Sequence, residues 1–449
     1  MEKYQSYTLR NFRDIPQIDQ HLSEEEKFAI EVVGNVLPFK ANNYVVEQLI
    51  DWDNYQNDPI YILTFPQRDM LEEAHFDEVA EAIRGGAKKA ELKLIANKIR
   101  MELNPHPAGQ MEQNMPVIED VKLTGVQHKY RETMLFFPSQ GQTCHAYCTF
   151  CFRWPQFVGM NELKFAMRDV ELIIKYLRAH PEVTDILFTG GDPLIMKTKI
   201  LQQYIDALIE ADLPNLRTIR LGSKALGYWP QRFTTDADAD DLMRLFEKAK
   251  ANGIHIAYMA HFNHPAELRT AEVKKAIRRI LNTGAVIRSQ SPIMRNINDN
   301  ADAWAEMWQE QVELGIIPYY MFIARDTGAQ DYFAVTLDKA WHVFRDAYQQ
   351  VSGIARTVRG PSMSAGPGKV RVIGVTEIMG EKVYNLEFIQ GRNPDWIARP
   401  FFAKYDPDAI WLDELEPAFG EGKFFFEDVY PLHRKPSKSR AHRQPSLVG

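Results

Sequence analysis

Between residues 133 and 350 short apolar runs alternate with longer stretches whose apolar positions recur at helical spacing. The short runs at 133–138, 184–189, 218–223, 255–262, 285–293 and 318–324 predict strands. The amphipathic stretches at 162–179, 197–210, 239–251, 267–282, 301–314 and 338–350 predict helices. Six strands, each followed by a helix, predict parallel βα units. The near-continuous apolar character of the strands fits a sheet covered on both faces. An open doubly wound sheet and a partial barrel both meet this pattern.

The unusual residues arbitrate between the two. Cys144, Cys148 and Cys151 follow the first strand, and Thr189-Gly190-Gly191-Asp192-Pro193 follows the second. Gly222-Ser223-Lys224 follows the third, and His261-Phe262-Asn263-His264-Pro265 the fourth. Ser289-Gln290-Ser291 lies in the fifth and Arg325-Asp326 follows the sixth. Parallel barrels place their sites at the carboxyl ends of the strands. The expected fold is therefore α/β, a partial (β/α)6 TIM-like barrel. Ahead of it a helical extension is expected over residues 1–128, with Ser23 capping a helix that starts Glu24-Glu25-Glu26 and a helical stretch over 73–101 broken at Gly85-Gly86. Proline-rich residues 104–116 end regular structure there. The barrel is expected over 129–355 and a C-terminal region over 356–433, with strands at 370–374 and 382–388 covering the barrel mouth. The basic, Pro- and Ser-containing residues 434–449 read as a disordered tail.

Composition narrows the function. Hydrophobic residues at 45% and charged residues at 25% of 449 describe an ordinary globular chain. A net charge of −7 argues against a general nucleic-acid binder. No apolar run approaches the roughly 18 residues that span a bilayer, and the first residues lack an apolar signal core. A cytoplasmic protein is expected.

Cys144, Cys148 and Cys151 are the only three cysteines, spaced Cys-x3-Cys-x2-Cys. Three thiolates on one short loop suit a soft metal centre. A cubane on three cysteines leaves one iron open. Zinc completed by His145, or three inert buried thiols, are the alternatives. Gly190-Gly191-Asp192-Pro193 is a ligand-facing backbone or a tight turn. His261 and His264 are a ligand pair or structural residues. Lys369, in Ala365-Gly366-Pro367-Gly368-Lys369, does not have the spacing of a phosphate-binding P-loop.

Taken together, these motifs resemble the lysine 2,3-aminomutase family of radical S-adenosylmethionine enzymes. The resemblance rests on the cysteine loop with Arg153, residues 188–193 (FTGGDP), residues 219–223 (IRLGS) with Pro230-Gln231-Arg232, and residues 261–265 (HFNHP). Residues 291–299 (SPIMRNIND), Pro318-Tyr319-Tyr320 and the Ala365–Lys369 loop complete it. It implies a [4Fe–4S] cluster on Cys144, Cys148 and Cys151, its open iron chelated by S-adenosylmethionine. Gly190, Gly191 and Asp192 would line the methionine moiety, with His261 and Gln290 nearby. Lys369 would carry pyridoxal 5′-phosphate as a Schiff base, with Lys129 and Tyr130 at its phosphate. Arg153 would meet the substrate α-carboxylate. A flavodoxin- or ferredoxin-like reductant, a small amino-acid substrate and a homo-oligomer are the expected partners.

Departures from the family pattern bear on the substrate. Two aspartates recognise the distal ammonium in lysine-specific members, and by spacing Arg325 and Ser362 stand in their places. A one-residue slip would put Asp326 in the first of them. A guanidinium repels an ammonium and holds a carboxylate. The expected reaction is a 2,3-amino shift on an acidic α-amino acid, glutamate before aspartate. The alternative keeps the radical machinery for lysine, a peptidyl lysine or another substrate, with or without pyridoxal phosphate. A non-catalytic iron–sulfur electron carrier is the reading from another class.

Overall fold

The computed structural model describes residues 3–104, 114–159 and 165–435. Residues 160–164, part of the proline-rich break and residues 436–449 of the expected tail lie outside the described residues; the helix expected over 162–179 begins only at Val170, where Asp169 caps it.

A single sheet of eleven strands organises the described residues. In chain order they are β1 (Val126–Tyr130), β2 (Thr133–Phe136), β3 (Asp185–Phe188), β4 (Thr218–Ser223), β5 (His255–His261) and β6 (Val286–Ile293). Then follow β7 (Ile317–Ile323), β8 (Arg359–Ser364), β9 (Gly368–Ile378), β10 (Glu381–Gly391) and β11 (Pro400–Lys404). Spatial order follows chain order, and β2 to β8 are all parallel. β1 pairs antiparallel with β2, and β9, β10 and β11 continue antiparallel from β8.

Two features differ from the sequence expectation. The parallel order holds a seventh strand, β8, which runs beyond residue 355. The C-terminal strands extend the sheet rather than lying across its mouth, because β9 finds the free hydrogen-bonding edge of β8. The sheet also curls on itself. Lys129 on β1 donates to the Ala365 carbonyl between β8 and β9, and Arg392 donates to Asn114 at 2.6 Å. Side chains rather than a strand pair bring the two ends together, which makes the barrel partial.

The helices between the parallel strands are Val170–Ala179, Thr198–Glu210, Ala239–Ala251, Ala271–Asn282, Ala301–Glu313 and Leu337–Gln350. Asp169, Thr270, Asn300 and Thr336 cap four of them with side-chain bonds to the first turn. Ala271–Asn282 starts four residues later than its sequence pattern, because Pro265–Leu268 forms a separate 3₁₀ turn. Its Val273, Ala276, Ile277 and Ile280 are buried, and each large aliphatic so buried contributes about 1.5–3 kcal/mol.

The strands alternate between a helix-facing and an interior face. On β4, Ile219 and Leu221 are buried while Thr218, Arg220 and Gly222 are half-buried. On β6, Arg288 and Gln290 occupy the half-buried face. The barrel interior is therefore polar and basic.

In the N-terminal region Glu24–Val36 begins with a capping box between Ser23 and Glu26. It packs against Glu73–Arg84 and Lys89–Glu102. Arg100 closes its carboxyl end by donating to Val36 and Asn35 carbonyls at 2.7 and 2.8 Å. Ser6–Tyr7 pairs with Ala41–Asn42, which carries Tyr4 and Lys40 to the cysteine loop. Among the described residues no helix is long and apolar enough to cross a membrane.

Candidate functional site

The loop after β2 carries Cys144, Cys148 and Cys151 as free, half-buried thiols. Its backbone is held from three sides. Tyr147 N–H donates to the Lys40 carbonyl at 2.7 Å and Thr149 N–H to the Leu63 carbonyl at 2.9 Å. Asp192 N–H donates to the Thr143 carbonyl at 2.7 Å. A turn from Cys151 N–H to the Cys148 carbonyl, 3.0 Å, brings the last two cysteines to one side. Burial pushes the Cys148 thiol up to about 12 and Cys151 up to about 11, and lifts Cys144 as well. Such thiols ionise only with a strong cation beside them, as metal ligation supplies. Among the described residues no three His, Cys, Asp or Glu side chains converge as the ligands of a single ion do. The zinc cage with His145 is therefore not preformed. A cubane asks for less convergence, because each thiolate takes a separate iron.

Gly190 and Gly191 lie against this loop. Gly190 has φ of +130°, outside the range of ordinary L-residues. A Cβ on Gly191 would lie 2.4 Å from the backbone N and O of Thr143. Gly191→Ala is therefore expected to push the cysteine loop off the strand end. Reaction of the three thiols with a maleimide should accelerate several-fold, and an unchanged rate would show that the loop tolerates the methyl group. Asp192 is 2% exposed. Its carboxylate accepts from Ser223 Oγ, Lys224 N–H and Leu194 N–H, each at 2.9 Å. Its bonds thus tie the Gly-Gly turn to the end of β4.

His261 and Gln290 sit side by side, because β5 and β6 pair them. Gln290 in turn pairs with Tyr320 on β7. Burial, with Lys224 nearby, pulls His261 down to about 3, so the ring is neutral. Its Nε2 lies 3.2 Å from Asn263 Nδ2, and its ring 5.6 Å from Phe150 in the cysteine loop. Asn263 Oδ1 is buried without a partner among the described residues. Lys224 forms a buried ion pair with Glu267. His264 instead caps the Pro265–Leu268 turn through Nδ1.

Lys369 begins β9 opposite Ser364 and projects over aromatic rings, its Nζ 4.0 Å from the Tyr320 centroid and 5.2 Å from Phe322. Burial, then Arg220 and Arg359, pull its amine down to about 7. A Cβ on Gly368 would fall 2.4 Å from the Gln390 carbonyl, so the glycine lets β10 approach and fixes the lysine stem. Arg220 is itself held by Asp185 at 2.6 Å. Lys129 and Tyr130 close the same space from β1, and burial with Arg325, Arg392 and Lys369 lowers Lys129 well below its ordinary range. A half-buried amine that is only partly protonated at neutral pH, amid guanidinium and ammonium groups, suits a carbonyl cofactor that carries a phosphate.

Arg153 and Arg325 both approach Phe152, with guanidinium carbons 5.0 and 5.2 Å from its ring centroid. Burial, with Arg325 opposing, brings Arg153 down to about 10. Arg325 donates to the Ser364 carbonyl at 2.8 Å. Asp326 lies 3.7 Å from Lys435, and its charge also acts on Arg325. Ser362 is fully buried, with its hydroxyl 3.3 Å from the Met321 carbonyl. The chain that meets Arg325 does so through Ser364, not Ser362. Phe152, Arg359 and Lys40 carry no sequence signal of their own, while Tyr320 and Arg220 lie inside the Pro318-Tyr319-Tyr320 and 219–223 motifs without being singled out there. Inward alternation along β4 could have found Arg220.

No family model matches the chain. It is 30% identical over 415 residues to a protein of Aquifex aeolicus (strain VF5) provisionally named L-lysine 2,3-aminomutase, spanning 92% of this chain and 97% of the relative. It is 23% identical over 366 residues to the L-lysine 2,3-aminomutase of Bacillus subtilis (strain 168), spanning 81% of this chain and 67% of that one. Among solved structures, a radical SAM methyltransferase from Sphaerobacter thermophilus overlaps 52% of this chain and 68% of its own at 15% identity and a TM-score of 0.37. That overlap is too loose to bear on the assignment. The near full-length relationship to the Aquifex protein does bear on it: the chain belongs to the lysine 2,3-aminomutase family of radical S-adenosylmethionine proteins.

Proposed function

We propose that the chain is a pyridoxal phosphate-dependent aminomutase that moves the amino group of an acidic α-amino acid from C2 to C3, with glutamate the first candidate and aspartate the second. Family membership implies the [4Fe–4S] cluster and S-adenosylmethionine; we assign the cluster to Cys144, Cys148 and Cys151 and the pyridoxal phosphate to Lys369. When bound, these groups supply a carbon radical that removes hydrogen from C3 and a carbonyl that carries the migrating nitrogen. The hydrogen returns at C2, so the substrate is isomerised without net oxidation. Gly190 and Gly191 admit S-adenosylmethionine to the backbone beside the cysteines, and His261 and Gln290 orient it. Lys129 and Tyr130 receive the phosphate. Arg153 takes the α-carboxylate and Arg325 the distal one.

One observation carries the choice of substrate. Arg153 and Arg325 share the Phe152 ring, and burial works against both charges; the Asp326 charge acts on Arg325 and an ionised Cys151 on Arg153, and Arg153 and Arg325 oppose each other. Two partly desolvated guanidinium groups close together are unfavourable without anions between them. A dicarboxylate relieves both guanidinium groups, whereas the distal ammonium of lysine adds a third cation.

The test is anaerobic. Protein reconstituted with iron, sulfide, pyridoxal phosphate, S-adenosylmethionine and a low-potential reductant is offered glutamate, aspartate, lysine, arginine and alanine separately. A β-amino acid from glutamate or aspartate is expected. Arg325→Asp should lower kcat/KM for that substrate by roughly 100-fold or more, since breaking a buried pair costs about 3–5 kcal/mol. A β-amino acid from lysine alone would refute the acidic substrate while leaving the amino shift intact.

A further inference from the structure

The N-terminal region touches the cysteine loop with one charged group. Lys40 Nζ donates to the Cys144 carbonyl at 2.7 Å. The rings of Tyr4 and Tyr147 flank this ammonium, with centroids at 5.9 and 5.8 Å. Tyr4 is anchored by its own bond to the His145 carbonyl, 2.7 Å. Asn42, two residues beyond Lys40, donates to the Tyr228 carbonyl at 2.9 Å. Lys40 is half-buried. Among the described residues the negative group that reaches it is the Cys144 thiol once ionised, and no carboxylate forms an ion pair with it.

A partly desolvated ammonium without a counter-ion is unfavourable. It is readily accommodated where an anion belongs. A cubane on three thiolates is anionic, and its reduction adds one more negative charge at that place. Lys40 is on a segment held by the Ser6–Tyr7 and Ala41–Asn42 pairing and, through its own carbonyl, by Tyr147 N–H of the cysteine loop at 2.7 Å.

We propose that Lys40 is the electrostatic partner of the iron–sulfur cluster, a positioning residue that holds the Cys144 backbone and favours uptake of the reducing electron. This rests on the assignment of the cluster to the three cysteines. In the step itself one electron passes from a low-potential one-electron donor to the cluster. The cluster gains one negative charge, and Lys40 keeps its proton and its bond to Cys144.

The experiment compares reconstituted wild type with Lys40→Met, Lys40→Gln and Lys40→Arg. Iron and sulfide content are measured first. The midpoint potential is then read from the paramagnetic signal during titration with titanium(III) citrate. Lys40→Gln keeps a donor for the Cys144 carbonyl and removes the charge. We expect Met and Gln to lower the reduction equilibrium constant about tenfold, about 59 mV for one electron, and Arg to restore it. Loss of the cluster in Met and Gln but not in Arg would equally support the charge. Unchanged potentials in fully loaded Met and Gln variants would overturn the proposal. So would loss of the cluster in all three variants, Arg included, because the position rather than the charge would then matter. Wild type that takes up no iron would remove the cluster assignment itself.

Discussion

Cys148→Ser is expected to fold normally, to take up little iron and to cleave S-adenosylmethionine at background. The substitution is small: it exchanges one half-buried thiol for a hydroxyl and leaves the turn from Cys151 N–H to the Cys148 carbonyl in place. The buried hydroxyl of Tyr228 sits beside this side chain and interacts with its thiol. A serine there keeps a polar group beside it and adds no bulk, so the fold has no reason to weaken. The chemistry changes sharply. A hydroxyl is a harder and far less acidic ligand than a thiol, and soft iron–sulfur centres select thiolates. No fourth cysteine exists to take its place. The loss should exceed the roughly 100-fold typical of removing an outer-shell partner. Iron and sulfide content, together with 5′-deoxyadenosine formed from S-adenosylmethionine, measure it. Normal values for both would exclude Cys148 as a ligand.

The difference between Cys148 and Lys40 shows what the sequence could reveal. Three cysteines in eight residues announce themselves, because no ordinary core concentrates thiols so. Lys40 lies in Pro38-Phe39-Lys40-Ala41, a commonplace run. Its meaning comes from a contact 104 residues away, which periodicity does not encode. The same holds within the barrel. β3 to β7 were legible because their apolar runs are bounded by helical patterns. β8 was not, since Arg359-Gly360-Pro361-Ser362-Met363-Ser364 has neither alternation nor branched residues. It is a strand because β7 and β9 offer it hydrogen bonds on both sides. Spacing also left Arg325 and Asp326 one residue from exchanging places. The fold gives them different contacts: Arg325 reaches Phe152 and the Ser364 carbonyl, while Asp326 reaches Lys435 and acts on Arg325 by its charge. Asp192 shows the opposite limit. Its motif was legible, but its carboxylate is bonded to Ser223, Lys224 and Leu194.

Lys369→Ala is expected to abolish covalent attachment of pyridoxal phosphate and, with it, formation of any β-amino acid, while iron content stays at the wild-type value. The amine is made reactive by its surroundings. An exposed lysine near 10.4 is almost wholly protonated at neutral pH. Burial, helped by Arg220 and Arg359, holds Lys369 at about 7, so about half is a free nucleophile there. The sign of the pH dependence follows. Attachment, trapped by borohydride and located by peptide mass, should rise as pH climbs through 7 and level off above 8. Exposed lysines would still be rising at that point. Arg220→Met removes a neighbouring positive charge, so it should favour the protonated amine and move the midpoint upward. The variant also leaves Asp185 without its guanidinium partner, so the shift is read against a folded control such as Leu187→Val, on the adjacent strand at the register position opposite Arg220. Trapping that stays at wild-type level in Lys369→Ala, with the label on another lysine, would dismiss Lys369 as the anchor. Trapping at Lys369 with a midpoint near 10 would keep the anchor but deny that Arg220, Arg359 and burial activate it.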